Sequence, residues 1–259
     1  MNKIKAGKNL IKTNYQISRY VVQAVSNSII NRNDPLQKRK NALAITSDNS
    51  QKVLERLNVN VEYSYEDPSV KDKNFFMVCN HMSYFDIIVL SSLRPAMFVT
   101  SVEMEKTFFL GDLAKLGGSF FVDRINRRKM KKEVEALVDL LTKGLNVFIF
   151  PEGTSTNGLE ILPFKKSLFR VPYQTQFPIL PICLKYETIN GEPFSADNCD
   201  RITWHGDMTF APHFLQLMTL KGIKATVKYL NPMDPKDFES HGDLAAAAEK
   251  VIRSAYFPN

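Results

Sequence analysis

The sequence is poor in cysteine and contains none of the patterns in which cysteines usually act. Three cysteines occur in 259 residues, and none forms a Cys-x-x-Cys pair. They are Cys79, Cys183 and Cys199. Because no secretory signal precedes them and three cysteines cannot all pair with one another, we expect reduced thiols in a cytosolic compartment.

Metal-binding and nucleotide-binding motifs are also missing. The four histidines show neither H-x-x-x-H nor H-E-x-x-H spacing, which argues against a zinc site. G-x-x-x-x-G-K-[ST] and G-x-G-x-x-G do not occur, so the glycine-rich phosphate loops are not supported. We therefore predict an activity that uses no metal and no cofactor.

No long apolar run is present. A transmembrane helix needs roughly 18 apolar residues, and the nearest candidate, 74–93, contains His81 and Asp86. Positive charge is concentrated near the start: residues 1–40 hold nine lysines and arginines against Asp34 alone, in a chain of net charge +7. Such a basic arm is either a solvated face or the contact for an anionic partner, which would be a nucleic acid or a membrane surface.

An amphipathic helix in this arm favours the membrane. Its apolar residues recur at helical spacing and are Ile11, Tyr15, Val22, Val25 and Ile29. The opposite face is polar and includes Gln16 and Arg19. Such a helix can lie on an anionic bilayer, or it can pack against the protein's own body. We expect Pro35 and the basic run Lys38–Lys40 to separate this helix from a second one at about 50–57. We assign residues 1–60 to a basic helical membrane-associating segment, and residues 61–259 to the main domain.

Strands and helices alternate from residue 75 onward. Apolar runs of strand type occupy 75–79, 96–101, 119–122, 146–150, 178–187, 200–204 and 222–230. Helical patterns occupy 84–93, 104–116, 126–143, 164–175 and 241–256. This alternation predicts an α/β fold with a mostly parallel or mixed sheet that helices cover on both faces. In such folds, functional residues gather at the carboxyl ends of the strands.

The stretch VCNHMSYFD, residues 78–86, places His81 and Asp86 where the first strand ends. On one continuous helix this spacing would point the two side chains apart. They can meet only if His81 lies in a turn and Asp86 in the first turns of the next helix, which Asn80 and Ser83 could cap. Asp86 would then accept the Nδ1 proton and leave Nε2 free as a base. Without other motifs, a capping histidine beside an unrelated acid would explain the pattern.

Three further stretches follow in order. They are GGSFFVDR at 117–124, FPEGTSTNG at 150–158 with LPFKKS at 162–167 after it, and FPILPICL at 177–184. The first two come after apolar strands, as His81 does, so they would converge on the same edge of the sheet. Together the four stretches resemble the glycerolipid acyltransferase superfamily, in particular the bacterial lysophosphatidate (1-acylglycerol-3-phosphate) acyltransferases, over roughly residues 75–190.

The resemblance implies a role for each matching residue. His81 would be the general base that takes the proton from the acceptor hydroxyl, and Asp86 would orient it. The substrate-binding residues would be Arg124, Glu152, Gly153, Thr154 and Lys165. Arg124 would hold the acceptor's phosphate, because a guanidinium is planar and permanently charged. No acyl-enzyme intermediate is implied.

The sequence departs from the family pattern at one point. Many relatives have a lysine in a pattern like VAKxEL, whereas this chain reads VTSVEM with Ser101 at the lysine's place. If that lysine stabilises the oxyanion in relatives, Ser101, Lys106 or a backbone amide would replace it here. The stretch ITWHGDMTFAPHF, 202–214, contains the single tryptophan, Trp204, and is assigned no role.

The predicted function is the transfer of a fatty acyl group from acyl-CoA or acyl-carrier protein to the hydroxyl of lysophosphatidate, giving phosphatidate in phospholipid biosynthesis. Two alternatives stay open. One is another lysolipid acceptor, such as lyso-ornithine lipid or a lysophosphatidylcholine-type lipid, and the other is a non-catalytic membrane-binding protein of the same fold. The expected location is peripheral (monotopic) at the cytoplasmic membrane's inner face, on anionic lipid. No nucleic-acid partner is expected, because the arm carries no known reading motif.

Overall fold

The computed structural model describes residues 3–107, 109–123 and 127–258. The strands are β1 (Val59–Tyr65), β2 (Phe76–Cys79), β3 (Met97–Ser101), β4 (Phe120–Val122), β5 (Val147–Ile149), β6 (Ile179–Ile189), β7 (Glu192–Pro193) and β8 (Ile223–Tyr229). The α-helices are α1 (Lys3–Ile30), α2 (Pro35–Leu57), α3 (Phe85–Leu93), α4 (Val102–Glu105), α5 (Leu110–Leu116), α6 (Arg127–Thr142), α7 (Arg170–Thr175), α8 (Phe210–Leu217) and α9 (His241–Tyr256).

The described strands form one mixed sheet. Their order is β1-β8-β6-β2-β5-β3-β4, and β7 pairs with β6. The five strands from β6 to β4 run parallel to one another, whereas β8 runs antiparallel to β6 and carries β1 parallel to itself. The predicted α/β fold with a mostly parallel or mixed sheet flanked by helices is confirmed. All four residues of the central strand β2 are buried, which explains its unbroken apolar run.

Helix α2 is much longer than the helix predicted at about 50–57, because Pro35 begins it. The carboxylate of Asp34 accepts a hydrogen bond from Gln37 N at 2.9 Å and caps the helix. Proline fits the first turn of a helix, where its missing N–H would have had no partner. The predicted separation of two helices at Pro35 is present, since α1 ends at Ile30 and α2 begins at Pro35, but the basic run Lys38–Lys40 lies inside α2 and does not interrupt it.

Several other elements differ from the predicted ones, and α8 and β7 have no predicted counterpart. The predicted helix 104–116 is divided into α4 and α5, since Phe109 has a φ of 67° and leaves the helical conformation. The predicted strand 200–204 is a short 3-10 helix at Cys199–Arg201 followed by irregular chain. Strand β1 has no predicted counterpart, because most of its residues are partly or fully exposed and it carries no buried apolar run.

Helices α1 and α2 lie antiparallel and contact each other through polar side chains. Gln16 Nε2 donates to Asn49 Oδ1, and Asn49 Nδ2 donates in turn to Gln23 Oε1 at 2.8 Å. Near the other end of the pair, Asn27 Nδ2 donates to the carbonyl of Lys38 at 2.8 Å. In this polar seam Gln16, Asn27 and Asn49 are all buried, and Gln23 is partly buried.

The apolar stripe of α1 faces outward instead. Ile11 is 71% exposed, and Val22 and Ile29 are each 64% exposed. The helix does pack against the protein's own body, as one of the two alternatives predicts, but it does so through its polar face and leaves these apolar side chains exposed. None of the helices in the described part combines the length and the apolarity that a membrane span requires.

Candidate active site

His81 and Asp86 meet at the end of the central strand. His81 lies in the turn after β2, and Asp86 lies in the first turn of α3. The distance from His81 Nδ1 to Asp86 Oδ2 is 2.9 Å. The strand, turn and helix predicted for this segment are thus present, and they bring together side chains that a continuous helix would separate.

Asn80 and Ser83, the two predicted caps of α3, behave differently. The Asn80 side chain points to β6, where Nδ2 donates to Leu184 O at 2.9 Å and Oδ1 accepts from Leu184 N at 3.0 Å. It continues the sheet pairing by one residue beyond β2 and does not cap the helix. Ser83 Oγ accepts a hydrogen bond from Phe85 N at 3.3 Å, at the start of α3.

Asp86 is fully buried and uses both carboxylate oxygens. Oδ2 accepts from His81 Nδ1 and also from Met82 N at 2.7 Å and Ser83 N at 2.9 Å. Oδ1 accepts from Tyr186 Oη at 2.7 Å. Burial and the neighbouring carboxylate raise the pKa of Tyr186 well above its usual value, so this phenol remains a donor. A carboxylate offers about four acceptor sites, and four donors fill them here.

The His81 ring is fixed in one orientation with one nitrogen available. Since Asp86 accepts, the proton lies on Nδ1 and the lone pair on Nε2. The ring stacks on Phe150 with a centroid distance of 4.0 Å and an interplanar angle of 14°. The His81 side chain is 18% exposed, and no hydrogen bond to Nε2 occurs within the described residues. Nε2 is therefore placed to accept a proton from a molecule that enters from solvent.

Glu152 connects the loop after β5 with the turn at residues 80–84, which holds His81 and is the candidate catalytic turn. Its Oε1 accepts from His81 N at 2.7 Å and its Oε2 accepts from Leu162 N at 2.7 Å. The residue is 2% exposed. Burial raises the pKa of Glu152 to about 7, against the lowering effect of these two backbone hydrogen bonds. Glu152 thus supports the backbone of His81 from inside the protein and does not line an open surface.

Gly153, Thr154 and Lys165 lie beside this support. Gly153 has a φ of 77°, and a Cβ at this position would come within 2.5 Å of Lys165 Nζ. The positive φ favours glycine at this position, and a side chain here would displace the end of Lys165. Lys165 N donates to Pro151 O at 2.9 Å, which closes the loop. Thr154 is exposed.

Of the remaining predicted site residues, Ser101 and Lys106 are less closely tied to the turn. Arg124 lies outside the described residues. Ser101 ends β3 and its Oγ accepts from Met104 N at 3.4 Å, as the cap of α4. Lys106 is exposed just after α4. No hydrogen bond joins Ser101 or Lys106 to His81 in the part of the chain that is described.

The tryptophan-containing stretch contacts the catalytic turn directly. Trp204 N donates to Met82 O at 2.9 Å, and Ser155 Oγ donates to Trp204 O. Tyr84, which follows the turn, is hydrogen-bonded to His213 Nδ1 at 3.0 Å. Burial lowers the pKa of His213, which favours a neutral ring that accepts from the phenol. The single tryptophan marks this stretch in the sequence, but no spacing pattern predicts that the stretch contacts the turn of His81.

An apolar cavity of about 210 Å³ lies beside the catalytic turn. Tyr84 and Phe85, at the start of α3, form part of its wall. Other wall residues come from α1, α2, α5 and α8, and they include Ile17, Val53, Leu113, Ala114 and Phe214. The N-terminal helix pair therefore covers an apolar space that reaches Tyr84 and Phe85 at the start of α3.

The chain has recognisable relatives among known proteins. The Acyltransferase family model matches residues 56–185. The lyso-ornithine lipid O-acyltransferase of Rhodobacter capsulatus is 34% identical over 183 residues, which cover 69% of this chain and 64% of that protein. The match therefore spans slightly less than two thirds of that relative's length.

Two further relatives carry a different name. The 1-acyl-sn-glycerol-3-phosphate acyltransferase of Neisseria meningitidis is 25% identical over 202 residues, or 78% of this chain and 76% of that protein. The crystal structure of the 1-acyl-sn-glycerophosphate acyltransferase PlsC from Thermotoga maritima has a TM-score of 0.67 at 23% identity, over 99% of this chain and 96% of that one. At that identity the structural likeness shows a shared fold.

Proposed function

The chain belongs to the Acyltransferase family, and from this premise we propose that it transfers a fatty acyl group from a thioester to the free hydroxyl of a lysolipid. The observation that carries the proposal is the pair of His81 and Asp86, in which Nδ1 is bound at 2.9 Å and Nε2 is left available. This is the arrangement that a general base needs, because its lone pair must face the proton that it removes.

The transfer runs in two steps. His81 Nε2 takes the proton of the acceptor hydroxyl as its oxygen bonds to the thioester carbonyl carbon, and a tetrahedral oxyanion forms. The intermediate collapses, the carbon–sulfur bond breaks, and the imidazolium returns the proton to the departing thiolate. Asp86 stabilises the transient positive charge on the ring. Ser101, Lys106 or a backbone amide is the proposed donor to the oxyanion.

Direct transfer fits the environment of the possible nucleophiles. Ser83 is fully buried, and the three cysteines are no more than 3% exposed. Burial raises the pKa of Cys79 and Cys183 well above the ordinary range of a thiol, so neither is a thiolate near neutral pH. A covalent acyl-enzyme intermediate is not part of the proposal.

The two substrates approach the base from different sides in this proposal. The apolar cavity beside Tyr84 and Phe85 takes the acyl chain, because burial there removes the apolar surface of the chain from water. Arg124 and Lys165 attract the acceptor's anionic group, while Glu152, Gly153 and Thr154 shape the loop around it. The donor is acyl-CoA or acyl-carrier protein.

The proposed acceptor is lysophosphatidate, which requires a phosphate-binding cation such as Arg124. Lyso-ornithine lipid is a second candidate. It is supported by the 34% identity to the Rhodobacter capsulatus protein of that name and by Ser101 at the position where a lysine is expected. The two acceptors differ in charge, since only the first carries a phosphate.

The outward stripe of α1 supports a peripheral location at the inner face of the cytoplasmic membrane. Ile11, Tyr15, Val22 and Ile29 are more than half exposed, and basic residues flank them in the sequence. An interfacial helix buries such a stripe in the acyl boundary while its cations face anionic headgroups. The enzyme would then meet an acceptor that never leaves the bilayer.

The test is an acyl-transfer assay with purified protein in mixed vesicles. Palmitoyl-CoA and palmitoyl-carrier protein serve as donors, and lysophosphatidate, lyso-ornithine lipid and lysophosphatidylcholine as acceptors. We expect product with lysophosphatidate, and a loss of at least about a hundredfold in His81→Ala, because a general base contributes roughly 10²–10⁴-fold. His241→Ala is the matched control, since that residue lies at the start of α9.

Each outcome has a distinct consequence for the proposal. Product with lyso-ornithine lipid alone keeps the mechanism and changes the acceptor. Equal activity in His81→Ala contradicts the general-base mechanism. No product with any donor and acceptor contradicts the enzyme assignment and leaves a membrane-binding protein of this fold.

A further inference from the structure

A second cleft lies at the edge of the sheet opposite the catalytic turn. Its volume is about 820 Å³, within the range of small-molecule sites. Residues just before β2, β3 and β5 line it, and they are Asn74, Pro95 and Asn146. His81 follows the other end of β2. At about 3.3 Å per residue, the chain from Asn74 to His81 places the two regions roughly 20 Å apart.

The cleft is strongly cationic. Lys40, Lys71, Lys73 and Arg94 line it, against Asp72 as the single carboxylate in its wall. The three lysines are exposed, so their positive potential reaches the open space. A concave surface with walls of one charge sign concentrates counter-ions of the other sign.

Arg94 is the feature that separates this cleft from an ordinary basic surface. It follows the end of α3 and is only 9% exposed. Its guanidinium donates to Val70 O at 3.2 Å and lies 5.9 Å above the Phe75 ring. No carboxylate forms an ion pair with it within the described residues. Since a guanidinium carries five N–H donors and a buried charge is costly without an opposite charge, this site favours an anion.

Tyrosine side chains form the other wall of the cleft. Tyr63 is 53% exposed and contacts Tyr65 edge-on with a centroid distance of 6.0 Å. Tyr65 is itself stacked on Tyr229 at 4.4 Å. The three rings are therefore fixed against one another, and Tyr63 offers a planar face beside the cations on which a planar ligand group can stack.

From these observations we propose that the cleft binds a soluble nucleoside polyphosphate. Arg94, Lys71 and Lys73 bind the phosphate groups, and Tyr63 stacks on the base. The site uses side chains on a rigid sheet edge in place of a glycine-rich loop. It is separate from the acyl-transfer site, and binding there does not depend on the proposed activity.

The test is calorimetric titration of the full chain with ATP and, separately, with pyrophosphate. We expect one ATP per chain. The double variant Lys71→Ala, Lys73→Ala should lower ATP affinity at least about tenfold, because it removes two cations that can form charge-assisted hydrogen bonds with the phosphates. Tyr63→Ala should weaken ATP binding and leave pyrophosphate binding unchanged. These residues are exposed, so the variants should fold as the wild type does, and circular dichroism checks this.

Two controls locate the ligand. Lys236→Ala removes an exposed lysine outside the cleft, and His81→Ala alters the catalytic turn; both should bind ATP as the wild type does. Absence of binding at millimolar ATP, or unchanged affinity in the double variant, overturns the proposal. So does loss of binding in His81→Ala, which would move the ligand to the catalytic edge. If Tyr63→Ala changes neither titration, the base assignment is wrong.

A lipid headgroup also carries a phosphate, so a separate experiment must distinguish it from a nucleotide. Wild type and the double variant are compared for sedimentation with phosphatidylglycerol vesicles. The proposal predicts nearly equal sedimentation, since the α1 stripe is intact in both. If wild type binds no ATP and the double variant loses vesicle binding, the cleft is a headgroup site and the nucleotide proposal is overturned.

Discussion

At the scale of single residues, the candidate site depends on two carboxylates that are removed from water. Asp86 and Glu152 are 0% and 2% exposed. Asp86 is the acceptor for a side chain, whereas Glu152 is the acceptor for the backbone N–H of His81. One carboxylate therefore orients the imidazole ring and the other holds the peptide to which that ring is attached. Positioning of the base involves residues from β6 and from the loop after β5 as well as its own turn.

Glu152→Gln should change how stability depends on pH. Burial raises the pKa of Glu152 to about 7 in the folded protein, above its usual value of 4.5. The folded state therefore holds the proton more tightly than the unfolded state, and this contribution to stability is lost as pH rises from about 4.5 through 7. The loss is up to about 3 kcal/mol. Glutamine does not titrate, so the stability of wild type relative to the variant should fall over this range and then stay constant.

Urea unfolding of both proteins at pH 5, 6, 7 and 8 measures this difference. Glu160→Gln is the matched control, because its carboxylate is exposed in the same loop, and its curve should run parallel to that of wild type. A parallel curve for Glu152→Gln as well would mean that the buried carboxyl keeps an ordinary pKa.

At the scale of elements, α1 is an amphipathic helix that buries its polar face and exposes its apolar face. A surface helix normally buries its apolar face and exposes its polar face. Here Gln16 and Asn27 are buried, while Val22 and Ile29 are exposed. The polar seam satisfies its donors and acceptors within the helix pair, which makes burial of amide side chains tolerable. An outward apolar stripe of this kind is explained if a lipid surface covers it.

Val22→Asp should weaken vesicle binding without unfolding the protein. The side chain is 64% exposed, so the folded core does not change. In the proposed interfacial position, the substitution removes roughly 1.5–3 kcal/mol of apolar burial and adds a charge repelled by anionic lipid, so binding should fall at least about tenfold. Ala246→Asp adds the same charge at an exposed position of α9 and serves as the control.

Flotation with phosphatidylglycerol vesicles, at matched thermal stability, measures the effect of this substitution. Equal binding by Val22→Asp and wild type would show that the stripe does not enter the lipid. Equal losses in both aspartate variants would show that the effect is one of net charge.

The elements that the sequence predicted well are those with a strong internal pattern. Strand β2 is an unbroken apolar run because the sheet buries both of its faces, and α9 has caps and a clear period, so 241–256 matched its bounds. The break at Phe109 was missed because a positive φ in a bulky residue follows from tertiary packing and has no local signal. Tyr186 was missed because its partner Asp86 is 100 positions away in the sequence, and only the parallel pairing of β2 with β6 brings their elements together.

At the scale of the whole molecule, α2 separates two spaces of opposite character. Thr46, Ser50 and Val53 on one side of the helix face the apolar cavity. Lys40, Ala44 and Gln51 on another side face the cationic cleft. The apolar cavity opens beside the catalytic turn and is covered by the helix with the outward stripe. The molecule thus has an apolar space beside the start of α3 and a cationic cleft at the far edge of the sheet.

This layout makes the apolar cavity a determinant of acyl-chain length in the proposed reaction. Ala114 on α5 lines the cavity, and Ala114→Leu places an isopropyl group in space that the end of a long chain would occupy. Each excluded CH₂ costs about 0.8 kcal/mol, so excluding two should lower the kcat/KM ratio of palmitoyl over dodecanoyl donor about tenfold or more. The shorter chain should react nearly as in wild type, because His81 and its partners are unchanged. Competition between the two donors, with products measured by mass spectrometry, gives the ratio directly, and Ala246→Leu on the exposed face of α9 should leave it unaltered. An equal loss with both donors would place the acyl chain elsewhere, because only an occupant that reaches Ala114 can be sensitive to its own length there.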